Sequence, residues 1–310
     1  MNNKNLDLIV KREGMPLFLA GSINKGTFEY ILNNKHLKLH SFLTEQRDIE
    51  KFFAQGHKIF VDSGAFTFWK VKRGLTKGAS WVKNLTDEEY INNYIAWINK
   101  WENDIIFAAQ LDSIPEGQSE EEIQKAADNT WENYKYMISK VNNPDIVLPV
   151  YHYGENISNL HRFIDFGCKY IAIGGLVGKS KKAKREFLDV LFKEIKNSSN
   201  PNVMTHAFGM TSKDLLEEFP FTSCDSTSWM MPANNGFINT PWGSFSVSPK
   251  KIGDPKHIMS QDLEIIDNVE QYITERGFTF EMLEDYKQRQ ILSIYDTMEW
   301  CKNYKYKGIY

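Results

Sequence analysis

The chemistry in this chain is concentrated where short apolar runs stop. In residues 58–68 (KIFVDSGAFTF), Ile59, Phe60 and Val61 give way to Asp62, Ser63 and Gly64. The same order of apolar run and polar or glycine terminus returns at Asp112, His152, Gly174 with Gly175, His206 with Gly209 beyond it, and Asp225. A carboxylate just past the end of a buried parallel strand sits where α/β folds place their reactive groups. Three carboxylates gathered on one apolar-walled rim repel one another, so at least one should take up its proton more readily than usual and serve as a general acid. Two carboxylates flanking a sugar carbon are what glycosyl chemistry needs, one as nucleophile and one to protonate the leaving group. Bare glycine backbone at Gly174 and Gly175 lets a flat ligand approach closely. The plainer alternatives are that Asp62 caps the helix that follows and that His152 and His206 are satisfied core histidines.

Those termini require elements that bring them together. Eight segments read as strands: 17–22, 37–42, 59–64, 106–112, 146–152, 170–175, 203–209 and 221–225, the last half polar. Between them, residues 44–54, 86–101, 119–141, 180–195 and 211–219 carry apolar residues at helical spacing. Thr86 with Glu89 three residues on predicts a capping box, and 119–141 opens on an acidic first turn. Strand and helix alternating about eight times predict an α/β protein of the (β/α)8 TIM-barrel type, with a doubly wound sheet as the alternative. Residues 236–248 predict a β-hairpin with a Pro-Trp-Gly turn, and 261–277 and 280–304 predict two C-terminal helices. One domain over residues 1–310 is expected, with the barrel core in 1–229 and a hairpin and helical appendage in 230–310.

Composition excludes several classes. No window reaches the roughly 18 uninterrupted apolar residues of a membrane span, and residues 1–12 lack the apolar core of a signal peptide, which predicts a cytoplasmic protein and no membrane partner. Cys168, Cys224 and Cys301 stand far apart, and neither His-x-His nor Cys-x-x-Cys occurs, so no disulfide framework, metal site or cofactor is expected. A net charge of −3 gives no global signature for nucleic acid. Local runs are another matter. Lys70, Lys72, Arg73 and Lys77 follow the Asp62 strand, and Lys179, Lys181, Lys182, Lys184 and Arg185 follow the Gly174 strand. Lys250, Lys251, Lys256 and His257 follow the hairpin. Two basic runs expected on loops of one rim predict a phosphate-tracking groove, against the alternative of plain solvated surface. Trp69, Trp81, Trp229 and Trp242 are candidates to stack on bases of a bound strand, or else belong to the core.

Five of these stretches, in order, resemble the motif set of the queuine tRNA-ribosyltransferase superfamily: Val61-Asp62-Ser63-Gly64-Ala65-Phe66, Leu111-Asp112-Ser113-Ile114-Pro115, Ile173-Gly174-Gly175-Leu176-Val177-Gly178, Phe208-Gly209 with Asp214-Leu215-Leu216 after it, and Cys224-Asp225. The resemblance covers about residues 58–229 and implies a (β/α)8 barrel that exchanges guanine for a 7-deazaguanine. It implies that Asp225 is the nucleophile that forms a covalent glycosyl-enzyme, that Asp62 is the general acid and base, and that Asp112 reads the Watson–Crick edge of the base. Gly175 and Leu176 would line the base pocket with Ser63, Gly64, Gly174 and His206, while Phe66 and Met210 would sandwich the base. His152 falls near where the family usually has a glutamine. Ala65 stands in place of a second glycine and Thr67 in place of a glutamine, which changes the fine shape of the pocket.

The tRNA members carry a late zinc cluster of three cysteines and a histidine, and after Asp225 this chain has Cys301 alone. The short chain is more similar to the phage and bacterial branch that inserts 7-deazaguanines such as 7-cyano-7-deazaguanine into DNA. That branch implies DNA and a free 7-deazaguanine base as partners, tRNA as the alternative polymer, and the host cytoplasm if the protein is phage-encoded. A small-molecule glycoside hydrolase or lyase would also want paired carboxylates, but it leaves the basic runs without a purpose. A non-catalytic nucleic-acid-binding protein would leave Asp225 without one.

Overall fold

A computed structural model describes residues 4–21, 24–43, 46–76, 79–210 and 212–310. Ser22, Thr44, Lys77 and Thr211, which the sequence places in a strand, two helices and a basic run, lie outside the described residues. One parallel sheet holds β1 (Leu17–Leu19), β2 (Lys38–Ser41), β3 (Ile59–Asp62), β4 (Ile105–Ala109), β5 (Val147–Leu148), β6 (Val150–His152), β7 (Tyr170–Gly174), β8 (Met204–Ala207) and β9 (Ser223–Ser226). Their order is β5-β4-β3-β2-β1-β9-β8-β7-β6.

The two ends of that sheet are consecutive in the chain, joined through Pro149. Residues 146–152 therefore form one barrel strand in two pieces. Its first piece pairs with β4 and its second with β7. Proline cannot donate to a ladder, which is why the strand changes partner there, yet its carbonyl still accepts from Ala172 N at 2.8 Å. Counted this way the sheet is an eight-stranded parallel barrel, the fold that the strand–helix alternation predicts.

Side chains alternate across each strand, and the two faces bury different sets. The inner set is strongly aromatic. Phe18 and Phe60 meet edge to face with centroids 5.3 Å apart, Phe60 and Phe107 at 5.9 Å, and Phe107 and Tyr170 at 5.1 Å. Ring pairs of this kind add about 0.5–1.5 kcal/mol each beyond area burial. They form an aromatic floor beneath the ends of the strands. The helix α1 (Lys4–Val10) closes the opposite mouth: Ile9 joins the inner cluster and Asn5 donates to Ile106 O at 2.9 Å.

The outer faces pack under α2 (Lys25–Asn33), α3 (Gln46–Ala54), α4 (Ala65–Lys72), α5 (Asp87–Lys100), α6 (Glu120–Lys140), α7 (Ile157–Asp165), α8 (Lys181–Asn197) and α9 (Lys213–Glu218). Thr86 and Glu89 form the predicted capping box on α5, and Ser119 with Glu122 and Asn24 with Thr27 form two more.

After β9 come α10 (Met231–Asn234), the antiparallel hairpin of β10 (Phe237–Thr240) and β11 (Gly243–Ser246), then α11 (Leu263–Thr274) and α12 (Tyr286–Lys302). Hairpin and α11 share a small core of Ile238, Phe245, Val247, Val269 and Ile273. The last helix belongs elsewhere. Asn24 at the head of α2 donates to Gln290 Oε1 at 2.6 Å, Trp300 Nε1 donates to Glu217 of α9 at 3.3 Å, and Ile294 and Cys301 enter the main core. Lying against both α2 and α9, α12 follows β9 and closes the ring, in which α4 and α5 share the one crossover between β3 and β4. The sequence reading assigns residues 280–304 to the appendage because the insertion of residues 227–279 separates them from β9; packing returns them to the barrel. The helix also starts later than residue 280, at Tyr286, where Asp285 accepts from Lys287 N.

Candidate active site

Asp62 ends β3 and faces the rim. The helix after it is capped by Gly64, at φ +74° and with no side-chain cap bond, so the capping reading of Asp62 does not hold. Instead Gly64 N donates to Asp62 Oδ2 at 3.2 Å. A Cβ on Gly64 would stand 2.8 Å from Leu43 Cγ, which fixes glycine here on both conformation and space. Burial, then the neighbouring Asp112 and Asp225, push the Asp62 carboxyl up to about 7, against the pull of Gly64 N and the Ser41 hydroxyl. Repulsion among the three carboxylates is the effect their convergence on one rim predicts. The residue that holds the proton is the one the resemblance assigns as acid and base.

Asp112, just beyond β4, is held from one side. His152 Nε2 lies 3.1 Å from Asp112 Oδ2, and His152 Nδ1 lies 2.8 Å from Glu155 Oε1. Burial alone would lower the imidazole, but Asp112 and Glu155 outweigh it and raise His152 to about 10. A doubly protonated ring therefore donates to both carboxylates. Asp112 Oδ1 is buried without a protein partner among the described residues, free to accept from a ligand. Gly174 is required by this arrangement, because a Cβ there would come within 2.8 Å of His152 Cδ2.

Asp225 lies on β9 beside Phe18 of β1, on the inner face. Gly209 N donates to Asp225 Oδ1 at 2.8 Å. Beneath it, His206 Nε2 stands 3.4 Å from the same oxygen, and His206 Nδ1 is 2.6 Å from Ser223 Oγ, which also hydrogen-bonds the Tyr170 hydroxyl. Burial lowers the His206 pKa although Asp225 pulls the other way. Neutral and fully enclosed, His206 supports Asp225 from below and has no face toward the rim. The core-histidine reading fits it.

Other named positions divide in the same way. Phe66 is 55% exposed, parallel to Trp69 at 5.9 Å and under the Lys70 ammonium at 4.2 Å. Gly175 is exposed, whereas Leu176, Ser63 and Met210 are buried, and the Ser63 carbonyl accepts from Tyr90 OH at 2.6 Å. Trp229 is core, with Nε1 donating to Ala20 O at 3.0 Å; Trp81 and Trp242 are largely exposed, and Trp69 is half-buried. A cleft of about 840 Å3 reaches Asp112 between α4 and α6, walled by Ala65, Trp69, Ile114 and Asn129, without touching Asp62 or Asp225.

Most of the first two basic runs lies on helices and not on loops. Lys70 and Lys72 end α4, Arg73 is its C-cap, and Lys181, Lys182, Lys184 and Arg185 make up the opening of α8. Cations at a helix N-terminus oppose its dipole, and here carboxylates from α9 compensate them. Arg185 grips Glu218 through two bonds of 2.8 and 2.9 Å, and Lys181 pairs with Asp214. Lys182 lies 3.8 Å from Glu186 and Arg73 3.3 Å from Glu116. Lys72 donates to Leu85 O at 2.7 Å, and Lys179 lies over the Tyr153 ring at 4.7 Å. Lys184 is half-buried in the same turn.

Two participants escape the sequence reading. Lys38 is fully buried on β2, its ammonium donating to the carbonyls of Leu19, Gly21 and Leu39 at 2.8, 2.8 and 2.6 Å. Burial brings it down to about 7 while Asp225 pulls it up. A lysine inside the apolar run of residues 37–42 was the available signal. Glu155 had none, being one more acidic residue in a turn.

A family model described as queuine tRNA-ribosyltransferase matches residues 10–261. No curated protein sequence matches the chain. A solved structure described as a putative fructose-1,6-biphosphate aldolase from Coccidioides immitis aligns with a TM-score of 0.40 at 10% identity, over 97% of this chain and 94% of that one, a likeness too distant to bear on function. The family match spans every barrel strand and all three rim carboxylates, with Asp62, Asp112 and Asp225 inside its limits. On that coverage the chain belongs to the queuine tRNA-ribosyltransferase family, a family of transglycosylase transferases.

Proposed function

We propose that the protein exchanges guanine in DNA for a free 7-deazaguanine base through a glycosyl-aspartate on Asp225. A carboxylate oxygen of Asp225 attacks C1′ as the C1′–N9 bond breaks, and the departing base takes the proton that Asp62 holds. The incoming base then gives its N9 proton to Asp62, N9 attacks C1′ from the vacated face, and the bond to Asp225 breaks. Two displacements retain configuration, and Asp62 ends the cycle protonated as it began. Asp112 Oδ1, unpartnered and buried, accepts from the N–H edge of the base, while the rigid His152 bridge holds the other oxygen.

The observation that carries this reading is the convergence of Asp62, Asp112 and Asp225 at the ends of β3, β4 and β9, with Asp225 fixed by Gly209 N and Asp62 raised by burial and by the other two. An acid that shares its proton evenly at neutral pH can serve both the leaving and the entering base. For the polymer, the lone Cys301 after Asp225 favours DNA, since the tRNA members' cysteine cluster has no counterpart. The family's name speaks for tRNA, which stays as the second reading. Among the described residues no helix is long and apolar enough to cross a membrane. Incorporation of radiolabelled guanine into duplex DNA, single-stranded DNA and tRNA decides: label in DNA supports the proposal, label in tRNA alone moves it to the family's named substrate, and label in none overturns it.

A further inference from the structure

A second cleft, of about 830 Å3, opens between the barrel and the hairpin appendage. Its floor is a chain of amides: Asn24 Nδ2 donates to Gln290 Oε1 at 2.6 Å, and Gln290 Nε2 donates to Asn234 Oδ1 at 2.7 Å. Arg289 lies alongside, 5% exposed, and three of its N–H groups are committed. Nε donates to Ala233 O at 2.8 Å, and Nη1 to Leu283 O and Glu284 O at 2.6 and 2.8 Å. Nη2 has no partner among the described residues, and the residue lines the cleft. A guanidinium locked by three carbonyls with one nitrogen left over is preorganised for an anion, because little side-chain entropy remains to be lost on binding.

Lys250 and Lys251 stand on the same cleft, and neither forms an ion pair among the described residues; Lys251 lies over the Phe237 ring at 4.2 Å. The carboxylates of Glu284 and Asp285 also line it, and Asp285 is engaged with Lys287 N. Three cations against two carboxylates leave the cleft net positive in a chain of net charge −3. Position matters as much as charge. Met230, five residues past Asp225, and Asn24, at the head of the helix after β1, both line the cleft, so it adjoins the rim where Asp225 stands. By contrast the cations of α8, which the sequence pointed to, are largely spent on Asp214, Glu218 and Glu186.

We infer that this cleft holds the phosphodiester backbone of the polynucleotide beside the target nucleotide, with Lys250, Lys251 and the free Nη2 of Arg289 as phosphate contacts. The inference rests on the proposed action on a polynucleotide and relocates the backbone contact from α8 to the appendage. It explains why an insertion sits between β9 and α12: the hairpin and its following turn carry the unspent cations to the Asp225 side of the rim.

The test is fluorescence anisotropy of labelled duplex DNA, single-stranded DNA and tRNA with the full chain, as a function of salt. Lys250→Glu with Lys251→Glu should weaken binding at least tenfold on every sequence and flatten the log–log salt slope by roughly one to two units, the amount for two lost phosphate contacts. Lys181→Ala with Lys182→Ala should stay within about twofold of wild type. Wild-type affinity and slope in the Lys250/Lys251 variant, or the loss appearing in the Lys181/Lys182 variant, overturns the cleft assignment alone. A wild-type protein that binds none of the three polymers overturns the proposed function and the cleft with it.

Discussion

Two carboxylates on one rim are held in opposite ways. Asp62 is raised to about 7 by burial first and then by Asp112 and Asp225, and it accepts a long bond from Gly64 N. Asp225 is held directly by neutral groups, Gly209 N at 2.8 Å and then His206 on Ser223 and Tyr170, with the buried Lys38 among its charged neighbours. The first environment makes a group that changes protonation. The second makes one that keeps its place. Division of labour between acid and nucleophile follows from which neighbours each strand supplies, since the two side chains are chemically identical.

The largest break in that contrast is Asp225→Asn, which keeps shape and hydrogen bonding but removes the nucleophile. Exchange should fall by about four orders of magnitude or more, with folding and DNA affinity near wild type. Exchange within tenfold of wild type would remove Asp225 from the chemistry. Asp62→Asn should cost about 10² to 10⁴ in rate and abolish the optimum near pH 7 that a group titrating there imposes on wild type. A profile whose optimum survives the substitution would show that another group carries the proton.

A smaller effect sharpens the recognition half. Glu155 touches no substrate in the proposed pose, yet after Asp112 itself it helps to hold His152 charged and so fixes Asp112. Glu155→Gln should lower the His152 pKa, so the rise of KM for the free base with pH moves to lower pH than in wild type while kcat changes little. His152→Gln, which can still donate to Asp112, should recover most of the affinity that His152→Ala loses and should show no such pH dependence. A parallel fall of kcat and affinity in every variant would mean collapse of the loop instead.

Stability gives the smallest signal. Because the native carboxyl of Asp62 is raised above its ordinary value near 3.9, the folded chain binds this proton more tightly than the unfolded chain does, and stability declines as pH rises from about 4 to about 7. Asp62→Asn removes that decline. Its melting temperature relative to wild type should therefore be higher at pH 8 than at pH 4.5, and an equal difference at both would show that Asp62 does not titrate in this range.

Much of this was legible from the strand ends. Apolar runs stopping at Asp62, His152 and Gly174 report buried parallel strands, because only a strand covered on both faces tolerates such continuity, whereas the half-polar run before Asp225 reported its strand only weakly. What stayed hidden depended on partners distant in the chain. Pro149 gave no hint that its strand would split between two neighbours. Lys38 counted as one polar residue in a strand until three carbonyls were found around it. The cations of α8 looked available because Asp214 and Glu218, about 30 residues away, supply the charge that neutralises them. The last helix was separated from its barrel neighbours by the very insertion that forms the second cleft.

The central claim is a covalent bond between Asp225 and the sugar, and peptide mapping of an acid-quenched reaction tests it most directly. Wild-type protein mixed with a guanine-containing oligonucleotide and no free base should yield one adduct, on the peptide containing Asp225, and Asp225→Asn should yield none. An adduct mapped to Asp62 or any other residue, or exchange that inverts configuration at C1′, would contradict the account.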